Sequence, residues 1–286
     1  MAIETFSFDS GKTGKKLLVF GAIHGDEVCG PLGIRTIIKE FESSSLQAVT
    51  GSVTFVPICN AEAYTKNERC LEADLNRVFT KTDRPETKEA VLANELCRLV
   101  DETDVLLDLH SSSALGPVNA FIDYPTPDNN AFVASLGAEF EILGWPNVYA
   151  NSETVLPSHT TEQYAHDVGK IGTTFECGQH QDPASVEIAK RTVMRALKYL
   201  KIIDGKDEPI PKATRVTMTK VYLCEDDADT LLSEWKHLEK IPPGTRIARR
   251  ASGEEISVEV PSIIVFPFKN AVKGDEWFYL GVEESQ

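Results

Sequence analysis

The sequence predicts an α/β layered fold built on a mainly parallel sheet, followed by a smaller β-rich domain. Three observations carry this expectation. Short, nearly continuous apolar runs, such as KLLVFGA at 16–22 and VLLDLH at 105–110, read as strands buried on both faces. Stretches with apolar residues at helical spacing lie between them. Beyond residue 205 the helical period gives way to β-branched and aromatic runs broken by Pro and Gly turns.

The elements follow in order. After the strand at 16–22, residues 28–43 are helix-like, with Leu32, Ile34, Ile37, Ile38 and Phe41 on one face. Residues 51–58 are β-rich. Residues 86–101 form an amphipathic helix with acids at its start, where they complement the helix dipole. Strands are expected at 105–110 and 119–124, a helix at 129–142 and a strand at 172–177. A long helix spans 183–200, opened by Asp182 as cap and Pro183 in the first turn. A polar linker near Asp204–Pro209 ends the first domain, so the expected boundaries are 1–205 and 206–286.

With 286 residues, 42% of them hydrophobic, the chain can bury a sizeable core. Its formal charge of -15 argues against nucleic acid and anionic membranes as partners. An anionic small molecule would need a local pocket of arginines. The first residues lack the apolar stretch of a secretory signal, and no run is long enough to span a membrane. Six cysteines are scattered without CxxC pairs, which reads as reduced core residues in a cytoplasmic protein.

The candidate chemistry begins where the first buried strand runs out. His24 and Glu27 sit three residues apart in the turn after it, where the carboxyl end of a parallel strand meets a binding crevice. His110 ends another strand. Together they make a His/Glu/His set suited to zinc, with a fourth position open to water. Asp108, two residues before His110 on the same strand face, is a candidate partner for a ligand imidazole. Glu176, set among Phe175, Cys177 and Gly178, is the candidate general base, because apolar surroundings raise a carboxyl pKa. Arg69, Asn76 and Arg77 gather in a loop-like segment and suit carboxylate or oxyanion recognition. A surface cluster with Glu68, Glu72 and Asp74 is the plainer alternative.

These stretches resemble the succinylglutamate desuccinylase/aspartoacylase family, a branch of the zinc carboxypeptidase fold. HGDE (24–27) resembles its zinc motif, RCLEADLNRVF (69–79) its R-x(4)-D-L-N-R-x-F block, DLHSS (108–112) the second histidine strand and FECG (175–178) the strand of its catalytic glutamate. NAEA (60–63) and FPFKNAVKGDEWFYL (266–280) are looser matches, the first with Ala61 in place of the usual Pro.

The resemblance implies a three-layer α/β/α domain with a mixed, mainly parallel sheet and a small C-terminal β-rich domain. It implies one zinc ion per chain on His24, Glu27 and His110. Glu176 would be base then acid, Arg69 would stabilise the oxyanion, and Asn76 and Arg77 would hold a substrate carboxylate. SHTTEQY (158–164) resembles a desuccinylase segment, which makes Ser158, His159 and Tyr164 candidate pocket residues. His166 stands where aspartoacylases carry an arginine, so the acyl group stays open. The expected activity is zinc-dependent hydrolysis of a small N-acyl amino acid. A zinc carboxypeptidase acting on peptides and a non-catalytic metal-dependent binding module are the alternatives, and the sequence leaves a homo-oligomer possible.

Overall fold

A computed structural model describes residues 3–150, 158–206 and 209–284. Along the chain run β1 (Phe6–Asp9), β2 (Lys16–Gly21), α1 (Cys29–Glu42), β3 (Ser52–Val56), α2 (Ala61–Lys66), α3 (Lys88–Asp101), β4 (Val105–Ser112) and β5 (Asn119–Ile122). Then come α4 (Pro127–Leu136), β6 (Phe140–Leu143), α5 (Trp145–Ala150), α6 (Thr161–Asp167), β7 (Ile171–Gln179) and α7 (Pro183–Tyr199). The remainder is β8 (Thr214–Leu223), β9 (Thr230–Leu231), β10 (Glu239–Ile241), β11 (Arg246–Arg249), β12 (Glu255–Ser257), β13 (Ser262–Val265) and β14 (Glu276–Glu283).

Eleven strands form one mixed sheet in the order β1-β3-β2-β4-β7-β5-β6-β8-β14-β13-β10. The centre, β3-β2-β4-β7, is parallel. The strands beyond β8 are antiparallel and extend the same sheet through the parallel β6–β8 pair. β12, β11 and β9 make a separate small sheet. Residues 207 and 208 of the polar linker lie outside the described residues.

Alternation along the central strands builds two cores. Leu17, Val19, Leu107 and Leu109 face α1, α4 and α7, where Ile34, Phe132 and Val193 meet them. Leu18, Phe20 and Leu106 face the other way, towards Leu96, Val100 and Ala165 of α3 and α6. Phe20 is fully buried, which is worth roughly 1.5–3 kcal/mol. The helices expected at 28–43, 86–101 and 183–200 form within a residue or two of those limits. Asp182 caps α7 by accepting the Ala184 N–H, and Thr87 caps α3 through the Ala90 N–H.

The expected helix at 129–142 is corrected. α4 stops at Leu136 because Gly137 takes a left-handed conformation, with φ of 82°, that ends a helix at little cost. Residues Phe140–Leu143 then turn into β6, paired between β5 and β8. All six cysteines are free, and five of them are buried. Among the described residues no helix is long and apolar enough to cross a membrane.

Candidate active site

β2, β4 and β7 lie side by side and parallel, so their carboxyl ends open at one edge. His24 and Glu27 occupy the turn beyond β2. That turn is held from below by Cys59 and Asn60, whose N–H groups donate to Gly21 and Ala22 carbonyls at 2.9 and 3.0 Å. Gly25 presses against α2 so closely that an added Cβ would lie 2.2 Å from the Ala63 carbonyl carbon. No other residue fits between His24 and Asp26 without moving that helix. His110 lies in β4, directly paired with Glu176 of β7. A register shift just past this pair, between His110 and Ser112, marks a bulge at the rim.

His24, Glu27 and His110 are all buried, and one donor atom from each lies within 4.8 Å of the others. Glu27 stands between the rings: Oε1 is 2.7 Å from His24 Nδ1 and Oε2 is 3.2 Å from His110 Nδ1. Its Oε2 also accepts the Ser111 N–H at 2.8 Å. The far ring nitrogens rest on carboxylates. His24 Nε2 bonds Asp74 Oδ1 at 3.0 Å, and His110 Nε2 lies 2.9 Å from Asp108 Oδ2, off the line of a hydrogen bond. Thr161 Oγ1 donates to that same Asp108 oxygen at 2.7 Å. Two imidazoles with Nδ1 turned inward, a carboxylate between them and an acid behind each ring form a donor set that could hold a metal ion.

The electrostatics are those of a tight cluster. Burial alone would raise the Glu27 carboxyl, but His110 and then His24 hold it well below the carboxylate range. Burial opposes charge on His110, yet Asp108 and Glu27 outweigh it and raise that imidazole well above its usual value. A bound cation would take the place of these protons. Glu176 behaves oppositely: burial first, then Glu27 beside it, push its carboxyl up to about 8, while His110 and Arg69 pull it down. Among the described residues its buried Oε2 accepts no hydrogen bond.

The loop 67–79 supplies the cations. Its backbone is organised by Glu89, fully buried in the first turn of α3. Glu89 accepts the N–H groups of Leu71, Glu72 and Ala73 at 2.8, 3.3 and 3.2 Å, and Asn60 Nδ2 at 3.4 Å. Arg69 is half-exposed and forks onto Asp74 Oδ2 through Nε and Nη2, at 3.1 and 2.9 Å. Its Nη1 remains 3.6 Å from Glu27. Asn76 Oδ1 accepts the Thr161 N–H at 2.9 Å, which leaves Nδ2 to donate. Arg77 lies over Trp145 and Tyr149 and donates to Glu276 of β14 at 3.1 Å. Tyr149 and Tyr279 also donate to the Glu276 carboxylate.

One cavity of about 680 Å³ is lined by His24, Glu27, His110, Glu176, Arg69, Asn76 and Arg77. Tyr164 is not among its walls: it stands on the core side of α6, its ring against Phe79 and its hydroxyl donating to Asp101 at 2.8 Å. Ser158 and His159 also lie off the cavity, and His159 serves by backbone bonds to Arg77 and Phe79. Sequence reasoning missed Asp74 as the partner of His24, although it lies within the 69–79 block. It also missed Asp123 and Trp145, which line the cavity from segments with no local motif, and Glu276, whose role the loose match over 266–280 does not disclose.

Fold and site together define an α/β protein with a candidate metallohydrolase centre at the carboxyl edge of its sheet. Residues 13–203 match the model of the succinylglutamate desuccinylase/aspartoacylase catalytic domain. A succinylglutamate desuccinylase of Vibrio vulnificus is 31% identical over 236 residues, covering 78% of this chain and 68% of its own. One from Pseudomonas aeruginosa is 25% identical over 285 residues, with 93% and 83% covered. The crystal structure of the Vibrio cholerae succinylglutamate desuccinylase superposes with a TM-score of 0.78 at 18% identity, over 98% of this chain and 85% of that one, a likeness of fold. The chain belongs to the succinylglutamate desuccinylase/aspartoacylase family, a family of deacylases that hydrolyse amide bonds.

Proposed function

We propose that the chain is a zinc-dependent hydrolase that cleaves the amide bond of a small N-acyl amino acid. The observation that carries this is the meeting of the His24–Glu27–His110 cluster with Glu176, a buried carboxyl pushed up to about 8, at the floor of one cavity. Bound by His24, Glu27 and His110, zinc would supply Lewis acidity, polarising the scissile carbonyl and acidifying water. Glu176 takes a proton from the attacking water and returns it to the leaving amine; its raised pKa suits both transfers near neutral pH. Arg69, fixed by Asp74, turns Nη1 to the developing oxyanion. Arg77 and Asn76 Nδ2 hold the substrate carboxylate.

We assign residues 1–205 to the catalytic domain and 206–286 to a β-rich domain. Residues from the latter, Phe266 and Glu276 among them, stand over the cavity and favour small substrates over long peptides. The six free cysteines suit a reducing compartment, and we place the reaction in the cytoplasm. The test is amine release by the zinc-loaded protein from a panel of N-succinyl, N-acetyl and N-formyl amino acids, beside Glu176→Gln. Release that vanishes in the variant supports the reading. Release from peptides alone would replace the substrate class, and no release at all would leave a binding role.

A further inference from the structure

We propose that the Arg77–Asp123 end of the cavity selects an amino acid whose side chain carries an ammonium group, so that the substrate is an N-acyl diamino acid. This rests on the hydrolase reading above and names its substrate class.

Asp123 lies just beyond β5 and lines the cavity. Among the described residues its buried Oδ1 accepts no hydrogen bond, and none closes an ion pair with the group. Glu162 fixes its place by accepting the Asp123 N–H at 2.8 Å through one oxygen and the Thr174 N–H at 3.4 Å through the other. Asp123 therefore sits beside Thr174, two residues before Glu176 on β7, or roughly 7 Å along the strand. That is the reach of a short aminoalkyl chain from the scissile amide. Burial pushes the Asp123 carboxyl up to about 7, and Arg77 draws it down.

An unpartnered carboxylate in such a place is costly unless something charged arrives to meet it. Arg77 acts on it only through space: its hydrogen bonds go to the Asn76 carbonyl at 3.2 Å and to Glu276. Among the described residues its remaining N–H groups meet no acceptor, which leaves them for a substrate carboxylate. A guanidinium and an unpaired acid side by side match a ligand with a carboxylate and an ammonium side by side. The aromatic walls Phe121, Trp145 and Phe266 suit the ammonium as well. A carboxylate side chain would instead face Asp123 and Glu276. Among the described residues, Arg69 and Arg77 are the only Arg or Lys side chains lining the cavity, and Arg69 is bonded to Asp74.

The test compares Nα-acetyl-ornithine, its neutral isostere Nα-acetyl-norleucine and Nα-acetyl-glutamate as substrates of the zinc-loaded protein, with Asp123→Asn alongside. Calorimetric binding of the free amino acids provides a second readout. The ornithine-to-norleucine ratio of kcat/KM is expected to exceed about 10 and to fall at least about tenfold in Asp123→Asn, with the binding ratio moving in step. A ratio of one or less, a preference for glutamate, or a ratio unchanged in Asp123→Asn would overturn the inference and leave the hydrolase reading standing. If no substrate is cleaved, that reading falls instead, and the binding ratio alone decides the subsite.

Discussion

Glu89→Gln tests the scaffold beneath the catalytic loop. In the native chain the two Glu89 oxygens accept four N–H groups, three of them from the backbone of residues 71–73. The variant keeps one acceptor oxygen and turns an NH2 towards the donors of the other. If the retained oxygen serves Leu71 and Asn60, the Glu72 and Ala73 N–H groups are stranded. Each buried donor left unmet costs about 1–3 kcal/mol, so the sum is about 2–6 kcal/mol. The loop bears Arg69, Asp74, Asn76 and Arg77, so activity should fall with stability. Urea unfolding measures the global loss, and limited proteolysis at residues 67–79 detects melting confined to the loop. A variant as stable as the parent and no more sensitive to protease would mean that Glu89 does not hold the loop.

Other predictions follow from the same geometry. Asp74→Asn removes the anion that holds both His24 Nε2 and Arg69, so metal affinity should drop about 10–100-fold in a chelator competition titration. Glu176 has a folded pKa raised to about 8 by burial and Glu27, so the folded state holds a proton that the unfolded state loses above about 4.5. Its contribution to stability is therefore lost as pH rises through that window, and metal-free Glu176→Gln should show a flatter fall between pH 5 and 8 in thermal melts. Tyr164→Phe loses the bond to Asp101, about 1 kcal/mol, and steady-state kinetics should show KM unmoved.

The central strands and the long helices were legible because their patterns are local. The runs at 16–22 and 105–110 are apolar on both faces, and α7 begins with its own cap and proline. The meeting of His24, Glu27 and His110 was legible for a related reason: each lies at or just beyond the carboxyl end of such a strand. Elsewhere the local signal points the wrong way. Residues 129–142 keep helical spacing past the point where Gly137 stops the helix. Tyr164 shares a segment with cavity residue Thr160, but the helical turn carries it to the core face. Glu276 meets Arg77 across 199 residues, and only the continuation of the sheet through β6, β8 and β14 brings them together. No motif reports such a contact.

In the proposed reaction, hydrolysis depends on a metal held by His24, Glu27 and His110. Zinc titration of the metal-free protein, beside His110→Ala, tests it most directly. One equivalent should bind per chain, with affinity lowered at least about 100-fold in the variant, since one of three protein ligands is gone. Stoichiometric binding of unchanged affinity in His110→Ala, or no binding by the native chain, would contradict it.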